Sequence, residues 1–132
     1  MATTLTIHDE TATGAKTPSL SIDFSEEVVT VRELIRSRVY QEVREHNARS
    51  GADTFVGLVQ PTDTEQVLNG YKLKTPRLID WEKQFAIALT AYAENGFIIL
   101  VNDVQTGDLD EQIHLTRSTE ISFLRLLPLV GG

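Results

Sequence analysis

The side chains able to do chemistry are few and scattered. His8, His46 and His114 stand alone, with no helical His pair and no acidic partner at metal-ligand spacing. They read as surface or structural histidines. Residues 102–113 mimic part of a calcium loop, with Gly107 at the sixth place, yet Ile113 stands where a bidentate Glu is required. Val104 and Thr106 replace side-chain ligands at the third and fifth places, so no metal is expected. Gly14-Ala15-Lys16-Thr17 lacks the spaced upstream glycine of a phosphate loop and reads as a turn. The acidic pairs Asp9-Glu10, Glu26-Glu27 and Asp110-Glu111 are adjacent in sequence, which in a strand sends them to opposite faces. Nothing marks a nucleophile among the serines, and there is no cysteine to supply a thiolate. No catalytic residue is assigned, and the chain is not expected to be an enzyme. The chemistry that remains is that of the Gly132 carboxylate behind Gly131. Glycines have no Cβ, so such a tail can thread a narrow enzyme channel. Its carboxylate can be activated by ATP to an acyl adenylate and passed to sulfur or to an amine.

The whole composition narrows the setting for that group. The 132 residues are 41% hydrophobic and 23% charged, near globular averages, which argues for one folded domain over 1–132. A formal charge of −7 disfavours nucleic acid, where cationic side chains supply most of the affinity. No apolar run approaches the roughly 20 residues of a membrane helix, and no membrane partner is expected. Met1-Ala2-Thr3-Thr4-Leu5 lacks the basic and apolar regions of a secretion signal. Together with zero Cys this fits a cytoplasmic protein.

The elements that would position the tail follow from patterning. Leu5-Thr6-Ile7 and Leu20-Ser21-Ile22-Asp23-Phe24 alternate apolar with polar residues and predict a hairpin across the polar stretch 9–18. Thr30 and Glu33 form a capping box, and Val31, Leu34, Ile35, Val39 and Val43 define the apolar face of a helix. Arg38 and Glu42 border that stripe four residues apart and can pair. Arg32, Arg36, Arg44 and Arg49, interleaved with Glu33 and Glu45, read as a solvated, salt-bridged face. Residues 50–53 end the helix, and Leu68-Asn69-Gly70-Tyr71 predicts a tight turn. Asp80 caps a second helix whose face is Trp81, Phe85, Ala88, Leu89 and Tyr92. Asn95-Gly96 closes it, with Gly96 expected in the left-handed position. Phe97 to Val101 reads as an interior strand covered on both faces, and 102–111 as a polar turn region. Ile113 to Leu115 and Ile121 to Leu127 predict two strands joined at Arg117-Ser118-Thr119, the last stopped by Pro128.

The order strand, strand, helix, then strands ending in Gly-Gly resembles the β-grasp fold of ubiquitin and of the sulfur carriers MoaD and ThiS. Ile99-Leu100-Val101-Asn102-Asp103 is similar to the carriers' strand ending in Val-Asn-Gly. Leu115 to Gly132 is similar to their ending of apolar strand, proline and Gly-Gly, with Pro128 in place of their second proline. Leu124-Arg125-Leu126 also resembles ubiquitin's Leu-Arg-Leu-Arg-Gly-Gly, out of register. The resemblance implies an α+β fold, a mixed sheet packed on a main helix, with 50–95 as an insert carrying the second helix and 128–132 as an extended tail.

It further implies a ubiquitin-like protein modifier of prokaryotic type. An activating enzyme would adenylate Gly132 at the expense of ATP, hold it as a thioester, and pass it to target lysines as an isopeptide. Pro128, Leu129, Val130 and Gly131 would be the stem that enzyme grips. A conjugating enzyme and a JAB-type deconjugating peptidase are the further partners implied, and no cofactor is bound. The alternatives are a sulfur carrier using a Gly132 thiocarboxylate, and a non-covalent β-grasp binding module. Ser118-Thr119-Glu120 where carriers have Gly-Asp-Glu, and Leu127 in place of their first proline, favour the modifier. The sheet face near the tail is expected to be exposed and to receive the partner. Lys16, Lys72, Lys74 and Lys83 are the lysines able to accept another copy.

Overall fold

The computed structural model describes residues 3–68 and 70–126 and is of mixed α+β type, with two helices. Strands β1 (Thr3–Glu10) and β2 (Lys16–Phe24) form the expected hairpin, each reaching further toward the turn than alternation alone indicates. A register shift between Ile7 and His8 lets Pro18 join β2, which lies at the sheet edge where a missing amide is tolerated. A short strand, β3 (Val28–Thr30), is less visible in the pattern and precedes helix α1 (Val31–Asn47). Then come β4 (Thr54–Phe55), β5 (Thr64–Val67), β6 (Gly70–Leu73) and helix α2 (Trp81–Ala93). The chain ends in β7 (Phe97–Val101), β8 (Val104–Gln105), β9 (Gln112–His114) and β10 (Ile121–Arg125).

The chain divides into two compact units, residues 1–34 with 91–132, and residues 35–90. The first holds a five-stranded mixed sheet in the order β2-β1-β10-β7-β8. Its centre is a parallel pair of β1 and β10, with Ile7 beside Ile121 and Glu10 beside Leu124. The remaining neighbours are antiparallel. Leu5, Ile7, Ile22, Phe24, Ile99 and Phe123 are buried from alternate positions of these strands, along with Val31 and Leu34 of α1. Phe97 packs between the rings of Tyr92 and Phe123, with centroids 5.8 Å away in each case.

Two expectations for this unit are corrected. Ile98, Leu100 and Val101 are only half-buried, so β7 is not covered on both faces. Strand β9, connected to β10 through 117–119 as expected, pairs with β3, Val29 opposite Ile113. The polar region after β7 contains β8, because Asn102 and Asp103 both take positive φ (51° and 66°) and turn the chain back on itself.

The helix ends follow their caps. Thr30 Oγ1 accepts from Glu33 N at 3.1 Å, and the first amides of α1, on Val31 and Arg32, donate to the Glu111 and Leu109 carbonyls. Asp80 Oδ1 accepts from Glu82 N at 3.0 Å. At the end of α2 the left-handed residue is Asn95 (φ 60°), not Gly96. Gly96 N then donates to Ala91 O and Asn95 N to Tyr92 O, the paired bonds of a Schellman ending. The short polar Asn side chain tolerates this conformation, which leaves Gly96 to start β7.

The second unit holds the sheet β4-β6-β5, in which β5 and β6 form a hairpin with Val67 opposite Gly70. Asn69, in the predicted turn, lies outside the described residues. Ile35, Val39 and Val43 are buried as the helical spacing predicts. Arg38 and Glu42, expected at the border of that stripe, are buried with it, at 1% and 8% side-chain exposure. Arg38 Nε donates to Glu42 Oε2 at 3.2 Å, while Glu42 Oε1 accepts from Leu58 N at 3.1 Å. One carboxylate thereby ties α1 to the segment after β4. Gln84, outside the predicted face of α2, is buried and donates to Val59 O at 3.1 Å. Arg36 lies 5.0 Å over the Trp81 ring, and Arg32 reaches Asp110 at 3.3 Å. These two arginines therefore contact groups beyond their own helix.

Removing one member of a buried ion pair leaves the other charge in a poor environment and costs about 3–5 kcal/mol. Glu42→Ala is expected to lose stability on that scale in urea unfolding. Arg38→Met with Glu42→Leu, which removes both charges, should lose clearly less. Equal losses for the two variants would show that the pair contributes through packing alone.

Candidate functional site

The residues assigned to the tail, Pro128, Leu129, Val130, Gly131 and Gly132, lie outside the described residues. What the structure does fix is the strand that leads to them. Strand β10 lies between β1 and β7, and Leu126 continues its ladder by donating from its amide to Gly96 O at 3.1 Å. Leu126 is 42% exposed. Arg125 Nη2 lies 4.0 Å from Asp9 Oδ2, across the end of the parallel pair.

The sheet face opposite the buried side chains carries His8 of β1, Ser122 and Leu124 of β10, and Ile98 and Leu100 of β7. This face was expected to be open. Ser122 is 2% exposed and the aliphatic residues are half-buried, leaving Leu126 as the exposed apolar residue at the exit of β10. A charged bridge joins separate elements of this unit. Lys16 Nζ, at the start of β2, donates to Asp103 Oδ1 at 2.8 Å and lies 3.6 Å from Glu120 Oε2. It ties the end of the first hairpin to the β7–β8 turn and to the residue preceding β10.

Lys16 is thus set apart from the other lysines. The hydrogen bond to Asp103 holds its ammonium above the ordinary lysine range. The charges of Asp103, Glu10 and Glu120 add to this, against the opposing effect of desolvation. Lys72, Lys74 and Lys83 are exposed. Sequence reasoning could not separate the four, because Asp103 and Glu120 are remote from Lys16 along the chain.

The motifs set aside by spacing are also apart in space or engaged elsewhere. Asn102 Oδ1 accepts from Glu120 N at 2.8 Å, and Asp103 is bound to Lys16, so the start of the calcium-like stretch serves the hairpin turn. Among the described residues no group of three or more His, Cys, Asp or Glu side chains could hold a metal ion. Gly14, at φ 90°, closes the first hairpin by donating to Thr11 O. No described helix is long and apolar enough to cross a membrane.

One concavity in the first unit was not foreseen. A cleft of about 590 Å³ opens beside β7 and is walled by Tyr92, Phe97, Leu109, Asp108, Asp110 and Arg32. Its back is held by Thr106, whose Oγ1 donates to Ile99 O at 3.1 Å and meets Tyr92 Oη at 2.8 Å. It is built from short-range turns and one helix end, none of which carries a sequence signature. No family of known proteins, no curated protein and no solved structure matches this chain.

A raised lysine pKa lowers the fraction of neutral, nucleophilic amine at any pH below it. Amine acylation near pH 9, read by peptide mass spectrometry, is expected to be slowest at Lys16 of the four lysines. Asp103→Asn should accelerate it there selectively. The sign for stability follows: the bridge contributes fully below the unfolded lysine value of 10.5 and is lost as pH rises through the higher folded value. Equal labelling of all four lysines would refute the assignment.

Proposed function

We propose that this chain is a ubiquitin-like protein modifier on a β-grasp-like fold, with the Gly132 carboxylate as the group transferred. The observation that carries the reading is the sheet: an opening hairpin followed by a helix, with the first strand lying parallel to the last. This arrangement supports the β-grasp resemblance, and it puts the strand that leads into 128–132 at the sheet's centre. Such a strand gives the stem a firm root, since β10 is bonded on both sides.

In this reading the chain does no chemistry of its own. A partner activating enzyme holds Pro128, Leu129, Val130 and Gly131, and the Gly132 carboxylate attacks the α-phosphorus of ATP, releasing pyrophosphate. The enzyme's cysteine thiolate attacks the adenylated carbonyl and displaces AMP to form a thioester, and a target lysine amine then displaces that cysteine thiol to form the isopeptide. A conjugating enzyme and a JAB-type peptidase would complete the cycle. The partner's landing area would centre on Leu126 and the aliphatic residues of β7 and β10 behind it. Net charge of −7 calls for a basic surface on the partner, which speeds encounter.

The test is intact and tryptic mass spectrometry of the protein recovered from its native cells under denaturing conditions. The expected result is Gly132 joined through an isopeptide to lysines of other proteins. Conjugates should vanish in a Gly132→Tyr variant that unfolds normally in urea. A sulfur-for-oxygen mass increase at a free Gly132 would replace the reading by a sulfur carrier. Unmodified Gly132 in every species, with activity surviving deletion of Gly131 and Gly132, would make the chain a non-covalent binding module.

A further inference from the structure

We propose that the exposed row Arg36, Tyr40 and Arg44 of α1, with Trp81 beside it, is a docking surface for an acidic segment of a partner protein. The two guanidinium groups take its carboxylates, and the rings of Tyr40 and Trp81 take its apolar side chains. The proposal does not depend on the fate of Gly132.

The surface lies within the unit of residues 35–90. Tyr40 meets Trp81 edge to face, with ring centroids 5.4 Å apart, and Phe85 extends the array at 6.2 Å from the indole. Trp81 and Phe85 are half-buried and Tyr40 is 43% exposed, so packing holds these rings while they still reach solvent. Arg36 stands 5.0 Å from the centroid of the Trp81 ring. Residues four apart are neighbours on a helix surface, so Arg36, Tyr40 and Arg44 form one row, and all three are exposed.

On a chain of net charge −7, arginines are expected to find carboxylates of their own. Arg32, Arg38 and Arg125 do so, with Asp110, Glu42 and Asp9. Among the described residues, neither Arg36 nor Arg44 has an ion pair or a side-chain hydrogen bond. Glu45, next to Arg44 in the chain, accepts from Gln41 at 3.4 Å instead. The cation–π contact fixes where the Arg36 guanidinium stands and leaves its N–H donors without a protein acceptor. A guanidinium held in this way is suited to bidentate recognition of a carboxylate. Tryptophan, tyrosine and arginine are also the residue types that carry most of the energy at protein interfaces. Charge then decides the occupant. Two uncompensated guanidinium groups favour an acidic segment over a basic one. A second copy brought face to face would set arginine against arginine, and nucleic acid would meet the net negative charge of the chain.

The test uses the whole ¹⁵N-labelled protein, in which Trp81 is the sole tryptophan, so its indole resonance and fluorescence report on this surface alone. Two capped pentapeptides, four glutamates or four lysines around a central leucine, are titrated to about 5 mM, past the range of weak peptide contacts. The glutamate peptide is expected to shift the indole resonance saturably, and the lysine peptide to leave it in place. Arg36→Gln with Arg44→Gln should weaken binding at least about tenfold while unfolding in urea close to wild type. Arg117→Gln, which removes an exposed cation from the other unit, should change binding by less than about twofold. The proposal is overturned by an indole that stays put with the glutamate peptide, by an equal response to the lysine peptide, or by wild-type binding in the double variant. Equal weakening by Arg117→Gln would reduce the effect to net charge and overturn it too. An indole shift that follows protein concentration without peptide would assign the surface to a second copy. A stronger response to a short single-stranded DNA than to the glutamate peptide would assign it to nucleic acid, and either result overturns the proposal.

Discussion

The parallel pairing of β1 with β10 is the contact on which the first unit depends. It joins Ile7 to Ile121 and Asp9 to Phe123, so residues near the two ends of the chain form the middle of one sheet. Without it β1 and β2 would be an isolated hairpin, and hairpins alone are marginal in water. With it, Ile7, Ile121 and Phe123 become fully buried and anchor the core beneath the sheet. The contact is also non-local, because the second unit, residues 35–90, lies between its partners in the chain. Closing so long a loop costs entropy before any pairing repays it. A second unit with its own sheet and buried ion pair lessens that cost, since a folded segment spans less conformational freedom than a loose one.

Patterning made visible the features whose energy comes from burial with a regular period. The first hairpin, α1, α2, β7 and β10 all announce themselves by alternation or by helical spacing. Short strands do not, because two to four residues carry no usable period. Thus β3 and β9 pair with each other, and β4 to β6 form a sheet, on the strength of contacts that only the fold assembles. Glu42 illustrates a different limit. By spacing it is a helix-surface partner for Arg38, and nothing local reveals that Leu58 N will arrive to bury it. Gln84 is missed for the same reason, its partner being the Val59 carbonyl.

At the site level, the structure gives the first residues of the calcium-like stretch a local role: Asn102 and Asp103 both take left-handed conformations that a hairpin turn demands. The Lys16 bridge and the cleft were invisible, since each joins residues from separate elements. On the sheet face expected to be exposed, His8, Ile98, Leu100 and Leu124 are half-buried and Ser122 is buried, a degree of cover that strand alternation alone does not reveal.

The ending of α2 shows how one local choice shapes both edges of a strand. Placing Asn95, and not Gly96, in the left-handed position makes Gly96 the first residue of the extended chain. Its carbonyl is then free to accept Leu126 N, which lengthens the β7–β10 ladder toward the C-terminus. By alternation the next residue, Phe97, must face the other way, and there β8 has already stopped. Had the left-handed residue been Gly96, the phase of β7 would shift by one. Phe97 would then bond toward β10, and its ring would turn out of the core in which it packs on Phe123. The register that buries this ring therefore also turns its backbone pair to the β8 side, and one local ending of α2 sets both the packing of the ring and the pairing of the strand.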